Sequence, residues 1–410
     1  MQLRNLLLVS FIAASAAQDI NTIVQGLNSL GLTGFAGLIP TLNQSSIGQG
    51  LFRTLLSGGN FSLFIPNNNA ISQVPANVAS DADGLARIVS YHVVLGSFND
   101  SSGGLTSETL PNVTIGRTLL NDSSLVELEG ERSQVLVWGK SSEGTVRILN
   151  QSPNTTVSNT TNLGGFAIHT IDRVLTPPPV FSRALEAGNA ATPSLSSNDI
   201  LALLNNTQLT GADGNNVSYT SLLDGSAVRG YTFFVPNNAA LQAAQSSLAS
   251  LQGNATALQI VLGNHIINGS TLYSTTLTNT TSASGEPLTF STNSSGTFVS
   301  SGNSASAQIV NTNILTKNGV LHIIDRVLAN TESNPEAASS AFNEATSTAG
   351  QTSSATGPVG TTPTGPASGG GGDGDGNGNG GNGGNGAFSV HGQSSSVFLL
   401  VAITILAALM

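Results

Sequence analysis

The chain repeats itself, and that repeat constrains the fold more than any other feature. Phe64-Ile65-Pro66-Asn67-Asn68-Asn69-Ala70-Ile71 returns as Phe234-Val235-Pro236-Asn237-Asn238-Ala239-Ala240-Leu241. Tyr91-His92-Val93-Val94-Leu95-Gly96 returns as Asn264-His265-Ile266-Ile267-Asn268-Gly269. Ile168-His169-Thr170-Ile171-Asp172-Arg173-Val174-Leu175 returns as Leu321-His322-Ile323-Ile324-Asp325-Arg326-Val327-Leu328. Three blocks recur in one order, displaced by 170, 173 and 153 residues, and four of the five histidines fall at matching positions. The chain of 410 residues therefore holds two copies of one module, each large enough to close a core of its own.

Each block has a physical reading. An apolar run that stops at Pro66 or Pro236 is a strand closed by a residue that donates no backbone hydrogen bond. The asparagines that follow are good helix N-caps, and the alanine-rich stretch from Ala239 to Leu251 reads as helix. Val320 to Leu328 reads as a strand with apolar residues on both faces, after a turn at Lys317-Asn318-Gly319. Ile20, Ile23, Val24, Leu27 and Leu30 have the spacing of an amphipathic helix. Helices, then a strand–helix unit, then several strands make an α+β module.

On these residues the chain resembles fasciclin-like (FAS1) proteins. Phe64, Pro66 and Asn68 match the F-x-P-x-N segment of that family, as do Phe234, Pro236 and Asn238. His92 and His265 match the central segment, and His169 with Asp172 and His322 with Asp325 match the last. Copy two departs at Asn264, where the family carries Tyr. The resemblance implies two tandem modules, each a β-sandwich wedge with packed α-helices, and a role in adhesion. Module 1 is expected over 18–178 and module 2 over 179–330. In some animal members an Asp-Ile pair before the last segment contacts integrins. The matching stretch here is Asn313-Ile314-Leu315, the candidate ligand contact, with Asn in place of the carboxylate that a metal-dependent receptor needs.

The two ends read as addresses. Arg4, the apolar stretch from Leu6 to Ala14 and the small residues Ser15-Ala16-Ala17 form a signal peptide over 1–17. Val397 to Met410 is an apolar run of 14 residues, short of the roughly 20 that span a bilayer. Behind a polar spacer from Phe388 it forms a GPI-attachment propeptide over 388–410, with Asn385 as the attachment residue and Asn382 or a neighbouring glycine as the alternatives. Residues 331–387, rich in Ser, Thr, Ala, Pro and then Gly, read as a disordered stalk.

The expected location is the outer face of the plasma membrane, with transfer to a cell wall as an extension. Fourteen Asn-x-Ser/Thr sequons agree: Asn43, Asn60, Asn99, Asn112, Asn121, Asn150, Asn154, Asn159, Asn205, Asn216, Asn254, Asn268, Asn279 and Asn293. Asn60, beside a strand, and Asn150, with Pro153 after its sequon, are expected to stay bare.

Composition closes other routes. Charged residues make up 8% of the chain, net charge is −10 and only Lys140 and Lys317 are lysines, so no basic footprint for nucleic acid exists. Zero cysteines exclude disulfides and thiol chemistry. No G-x-S-x-G elbow is present, and Asp172 and Asp325 are the only acids that recur in the blocks, so no enzyme is expected. His169/Asp172 and His322/Asp325 sit three apart, on opposite faces of a strand, a poor metal geometry; the repeated His and Asp are read as buried structural groups, with no metal and no cofactor. The expected function is non-enzymatic adhesion. Its partners would be surface, matrix or wall proteins or polysaccharides, or a second copy of the chain, and the membrane is reached through lipid alone. The alternative is a structural organiser of wall or matrix polysaccharide.

Overall fold

The computed structural model describes residues 20–98, 113–191, 196–210, 216–251, 254–349 and 358–360. The signal peptide, the attachment residue Asn385, the C-terminal tail and the sequons Asn99 and Asn112 lie outside the described residues.

Module 1 opens with helices. Ile20–Ser29 buries Ile23 and Leu27, and Ser46–Leu56 buries Leu51, Phe52 and Leu55 behind a cap in which Ser45 accepts from the Ile47 and Gly48 amides. The strands follow: β1 (Phe61–Pro66), β2 (Val93–Leu95), β3 (Thr114–Arg117), β4 (Val135–Lys140), β5 (Val146–Ile148), β6 (Thr155–Leu163) and β7 (Phe166–Ile171). They form one seven-stranded sheet in the order β2-β1-β7-β6-β5-β4-β3. The sheet curls until its ends meet: the Leu119 amide, just past β3, donates to Val93 C=O at 2.9 Å. One apolar core lies between helices and sheet and holds Leu27, Phe52 and Ile168. A second lies inside the curl, around Phe64, Tyr91 and Trp138.

Module 2 repeats this plan after a short hairpin of β8 (Gln208–Thr210) and β9 (Asn216–Ser218). Its sheet uses β10 (Tyr231–Pro236), β11 (Ile266–Asn268), β12 (Thr280–Thr281), β13 (Pro287–Asn293), β14 (Gly296–Ser301), β15 (Ala307–Thr316) and β16 (Gly319–Ile324). Their order, β11-β10-β16-β15-β14-β13-β12, is the same, and the Ala283 amide closes the curl on Ile266 C=O at 2.7 Å.

The parallel pairing of β1 with β7 and of β10 with β16 explains the repeat. The first and last blocks, about a hundred residues apart in sequence, are adjacent strands, with Phe64 opposite His169 and Phe234 opposite His322. Asn67 and Asn237 cap the helices after the prolines, each accepting from the amide three residues on at 2.8 Å. Asn68 and Asn238 do another job. Asn68 accepts from the Gly34 amide and donates to Gly31 C=O, and Asn238 accepts from the Asp199 amide, so each ties its helix to the helical layer.

Three expectations are corrected. The strand expected over Val320 to Leu328 is β16, Gly319–Ile324; Asp325 leaves it to accept from the Gln308 amide. The alanine-rich helix is two helices, Asn238–Ala243 and Gln245–Leu251, meeting at Ala244. Part of the stretch expected as disordered stalk over 331–387 is ordered: Pro335–Ala349 is helix. Its N-terminal turn is held by Asn334, which accepts from the Ala337 amide, and Phe342 lies over Gly269, where a Cβ would come within 3.0 Å of the ring. The Asn334 amide also donates to Ser284 C=O at 2.8 Å, and Ala338 and Ala349 are buried.

Candidate interaction site

The repeated histidines and aspartates are consumed by the fold, while Arg173 and Arg326 of the same block are exposed. His92 Nδ1–H donates to Ile88 C=O at 2.8 Å, and its Nε2 accepts from the Leu175 amide at 2.9 Å. His265 does the same with Val261 C=O at 2.7 Å and the Leu328 amide at 2.9 Å. The central block is thereby stitched to the end of the last block in both copies. His169 stacks on Phe64 with ring centroids 4.7 Å apart, and His322 on Phe234 at 5.5 Å. Burial pushes the His92, His265 and His322 imidazoles down to about 4, so all three are neutral at pH 7. Asp172 accepts from the Thr156 amide at 2.8 Å, as Asp325 does from Gln308 at 2.7 Å; each pins the bulged neighbour strand at its end.

The departure at Asn264 has a local cause. In copy one the Tyr91 hydroxyl donates to Val135 C=O at 3.1 Å and accepts from Asn150 Nδ2 at 2.7 Å. In copy two Asn264 Nδ2 donates to the carbonyls of Asn330 and Glu332, fastening the exit of the chain from module 2.

The two modules meet along a seam. Val113, Ile115, Val135 and Val137 from β3 and β4 pack against Tyr273, Leu315 and Val320 of module 2. The Arg117 guanidinium lies 5.7 Å from the Tyr273 ring centroid. Polar contacts border this cluster. Lys317 Nζ stands 3.3 Å from the Glu127 carboxylate, the Thr271 hydroxyl donates to Glu129 at 2.7 Å, and Gln134 Nε2 donates to Thr316 C=O at 3.0 Å. Sequence reasoning missed these residues. The signal available was Glu127, Glu129, Glu131 and Arg132 crowded together in a chain that is 8% charged.

Beside the seam is a cleft of about 670 Å³. One wall is the linker Thr176-Pro177-Pro178-Pro179, a second the helix Phe181–Ala191 at Ala184, Ala187 and Gly188, and a third Val310 to Leu315. Gln151, Ser152 and Asn154 form the rim. Among the described residues no charged and no aromatic side chain lines it. All three candidate contact residues are on this wall, because β15 bulges between Asn311 and Ile314 and re-aims its side chains. They are not equivalent. Asn313, at φ 58, is buried, accepts from the Ser274 amide and donates to the Ser274 hydroxyl. Leu315 is buried in the seam cluster. Ile314 is half-buried and faces Gly188, whose Cβ would lie 3.2 Å from its Cδ1.

Two sequon asparagines, Asn150 and Asn154, line the cleft. Asn43, Asn60, Asn121, Asn154, Asn159, Asn205, Asn216, Asn254, Asn279 and Asn293 are exposed. Asn268 is half-buried, as is Asn150. Asn150 is committed at both ends of its amide, accepting from the Val137 amide at 2.8 Å and donating to Tyr91. Among the described residues no helix is long and apolar enough to cross a membrane.

The family model of the fasciclin domain matches residues 37–177 and again 201–330. A fasciclin-like arabinogalactan protein of Arthroderma benhamiae is 27% identical over 254 residues, which are 61% of this chain and 52% of the relative, so the chain spans about half of that relative's length. A solved FAS1 domain pair from the insect cell adhesion molecule fasciclin I aligns with 72% of this chain and 97% of its own, at 14% identity and a TM-score of 0.34.

Proposed function

The chain belongs to the fasciclin-domain family, and on that premise we propose that it is a non-enzymatic adhesion and interaction glycoprotein of the cell surface. One observation carries this reading. The histidines that recur in both modules are spent on core hydrogen bonds and ring stacking, while a large concave surface between the modules is lined, among the described residues, by uncharged side chains. Such a surface holds a neutral partner by shape and amide contacts; it has no paired carboxylates or activated nucleophile for bond cleavage. Ile314, with Asn313 and Leu315 behind it, is the proposed contact edge.

The proposed address is the outer face of the membrane, through a signal peptide at 1–17 and a lipid at Asn385. Phosphatidylinositol-specific phospholipase should release the protein from intact cells. Beads coated with the secreted ectodomain should aggregate with each other or with cells. Ala187→Glu, which puts a carboxylate at the mouth of the cleft, should abolish aggregation without lowering thermal stability. No aggregation by the wild type, or full aggregation by the variant, would remove the cleft from the proposal. A second reading, an organiser of wall polysaccharide, is favoured by the ten exposed sequons and by the relative's name as an arabinogalactan protein. Retention in an alkali-insoluble wall fraction after phospholipase treatment separates it from simple adhesion.

A further inference from the structure

The chain returns to the seam after both modules are complete. Pro358-Val359-Gly360 lies along β3, the strand at the end of the module 1 sheet order. β2 bridges that edge at Thr118, opposite Val94; earlier along the strand, at Ile115, Val359 meets it. The Val359 amide donates to Ile115 C=O at 2.7 Å, and Val359 C=O accepts the Thr275 hydroxyl at 2.7 Å. The Val359 side chain packs on the seam cluster around Ile115, Tyr273 and Leu315. Gly360 has φ +89, and a Cβ there would stand 2.4 Å from Thr275 C=O, so only glycine fits. Module 1 supplies the carbonyl and module 2 the hydroxyl. The site is complete only when both modules are in place.

We propose that the seam is a binding notch for an extended peptide carrying a small β-branched side chain followed by glycine, and that Pro358-Val359-Gly360 of this chain is its resident ligand. Recognition is of an extended segment at the β3 edge: a backbone hydrogen bond to Ile115 C=O and one from the Thr275 hydroxyl set direction, an apolar socket selects valine, and a close wall selects glycine. The docked segment clasps the modules, since Val359 touches both at once. It also moves the point where the rest of the chain departs.

Hydrogen exchange on the full secreted chain tests the clasp. In the wild type the Val359 amide should exchange about tenfold or more slowly than the same amide in a free peptide, reflecting one local opening. Gly360→Val, in a residue outside both modules, should return that amide to the free rate. The emptied variant should then bind a synthetic peptide with the sequence of residues 356–362 at millimolar concentration, seen by saturation-transfer NMR. The wild type, already occupied, should not, nor should the variant bind a peptide with valine at the glycine position. Free-rate exchange at Val359 in the wild type, unchanged protection in Gly360→Val, or indifference of the variant to the peptide would each overturn the proposal. Bead aggregation is not part of this test, so the clasp and the adhesive role fail separately.

Discussion

Lowering the pH from 7 to 5 should destabilise this protein through its buried histidines. His92, His265 and His322 have folded pKa values near 4 because burial disfavours the imidazolium, against an unfolded value of about 6.5. Their contribution is whole above pH 6.5, falls as protons bind the unfolded chain first, and is fully lost below pH 4. At pH 5 the unfolded imidazole is about 1.5 units below its pKa and the folded one is still neutral, which costs about 2 kcal/mol for each histidine. Module 2 holds two of the three and module 1 one, so the losses are about 4 and about 2 kcal/mol, large beside the roughly 5–15 kcal/mol of a typical domain. Urea denaturation at both pH values measures the effect, with fluorescence of Trp138, the sole tryptophan, following module 1 and circular dichroism following both. His265→Gln should be weaker at pH 7 but lose about 2 kcal/mol less on acidification. Equal midpoints at pH 7 and 5, or the same acid loss in the variant, would refute the reasoning.

Four further outcomes are expected. Tyr91→Phe removes a hydroxyl that bonds Val135 and Asn150 and should cost about 1–3 kcal/mol in urea denaturation. Glycopeptide mass spectrometry should find Asn150 bare and Asn154 and Asn159 occupied, because the atom that carries a glycan on Asn150 is the one bonded to Tyr91. Asn318→Ala strands the carbonyls of Leu223, Gly225 and Val228, which share its amide, and should lower stability by about 2–3 kcal/mol. Lys317→Met leaves Glu127, 8% exposed, without the cation 3.3 Å away, and should make the Trp138 and dichroism transitions separate as the seam loosens.

Much of this architecture was legible because its information is local or repeated. Pro66 and Pro236 end strands wherever they occur, and Asn67 and Asn237 cap helices by the geometry of their own turn. The duplication revealed two modules without any knowledge of their shape. The helix Pro335–Ala349 was misread because its stabilising partner, Gly269, lies far away in sequence and contributes only the absence of a side chain. The seam was illegible for a related reason: Ile115, Tyr273 and Leu315 look like ordinary core residues, and nothing in their neighbourhoods says that the apolar partner belongs to the other module.

The division between the two levels follows from range. Residue order alone set the module count, the block order, the absence of thiol chemistry and the scarcity of charge, since each is a property of composition or of self-similarity. Tertiary structure alone decided that Phe64 meets His169, that Asn313 turns inward on a bulge, and that Val359 reaches both modules. Those contacts join positions tens to hundreds of residues apart. Burial and direction at such distances come from how sheets curl and pack, which no stretch of neighbouring residues encodes by itself.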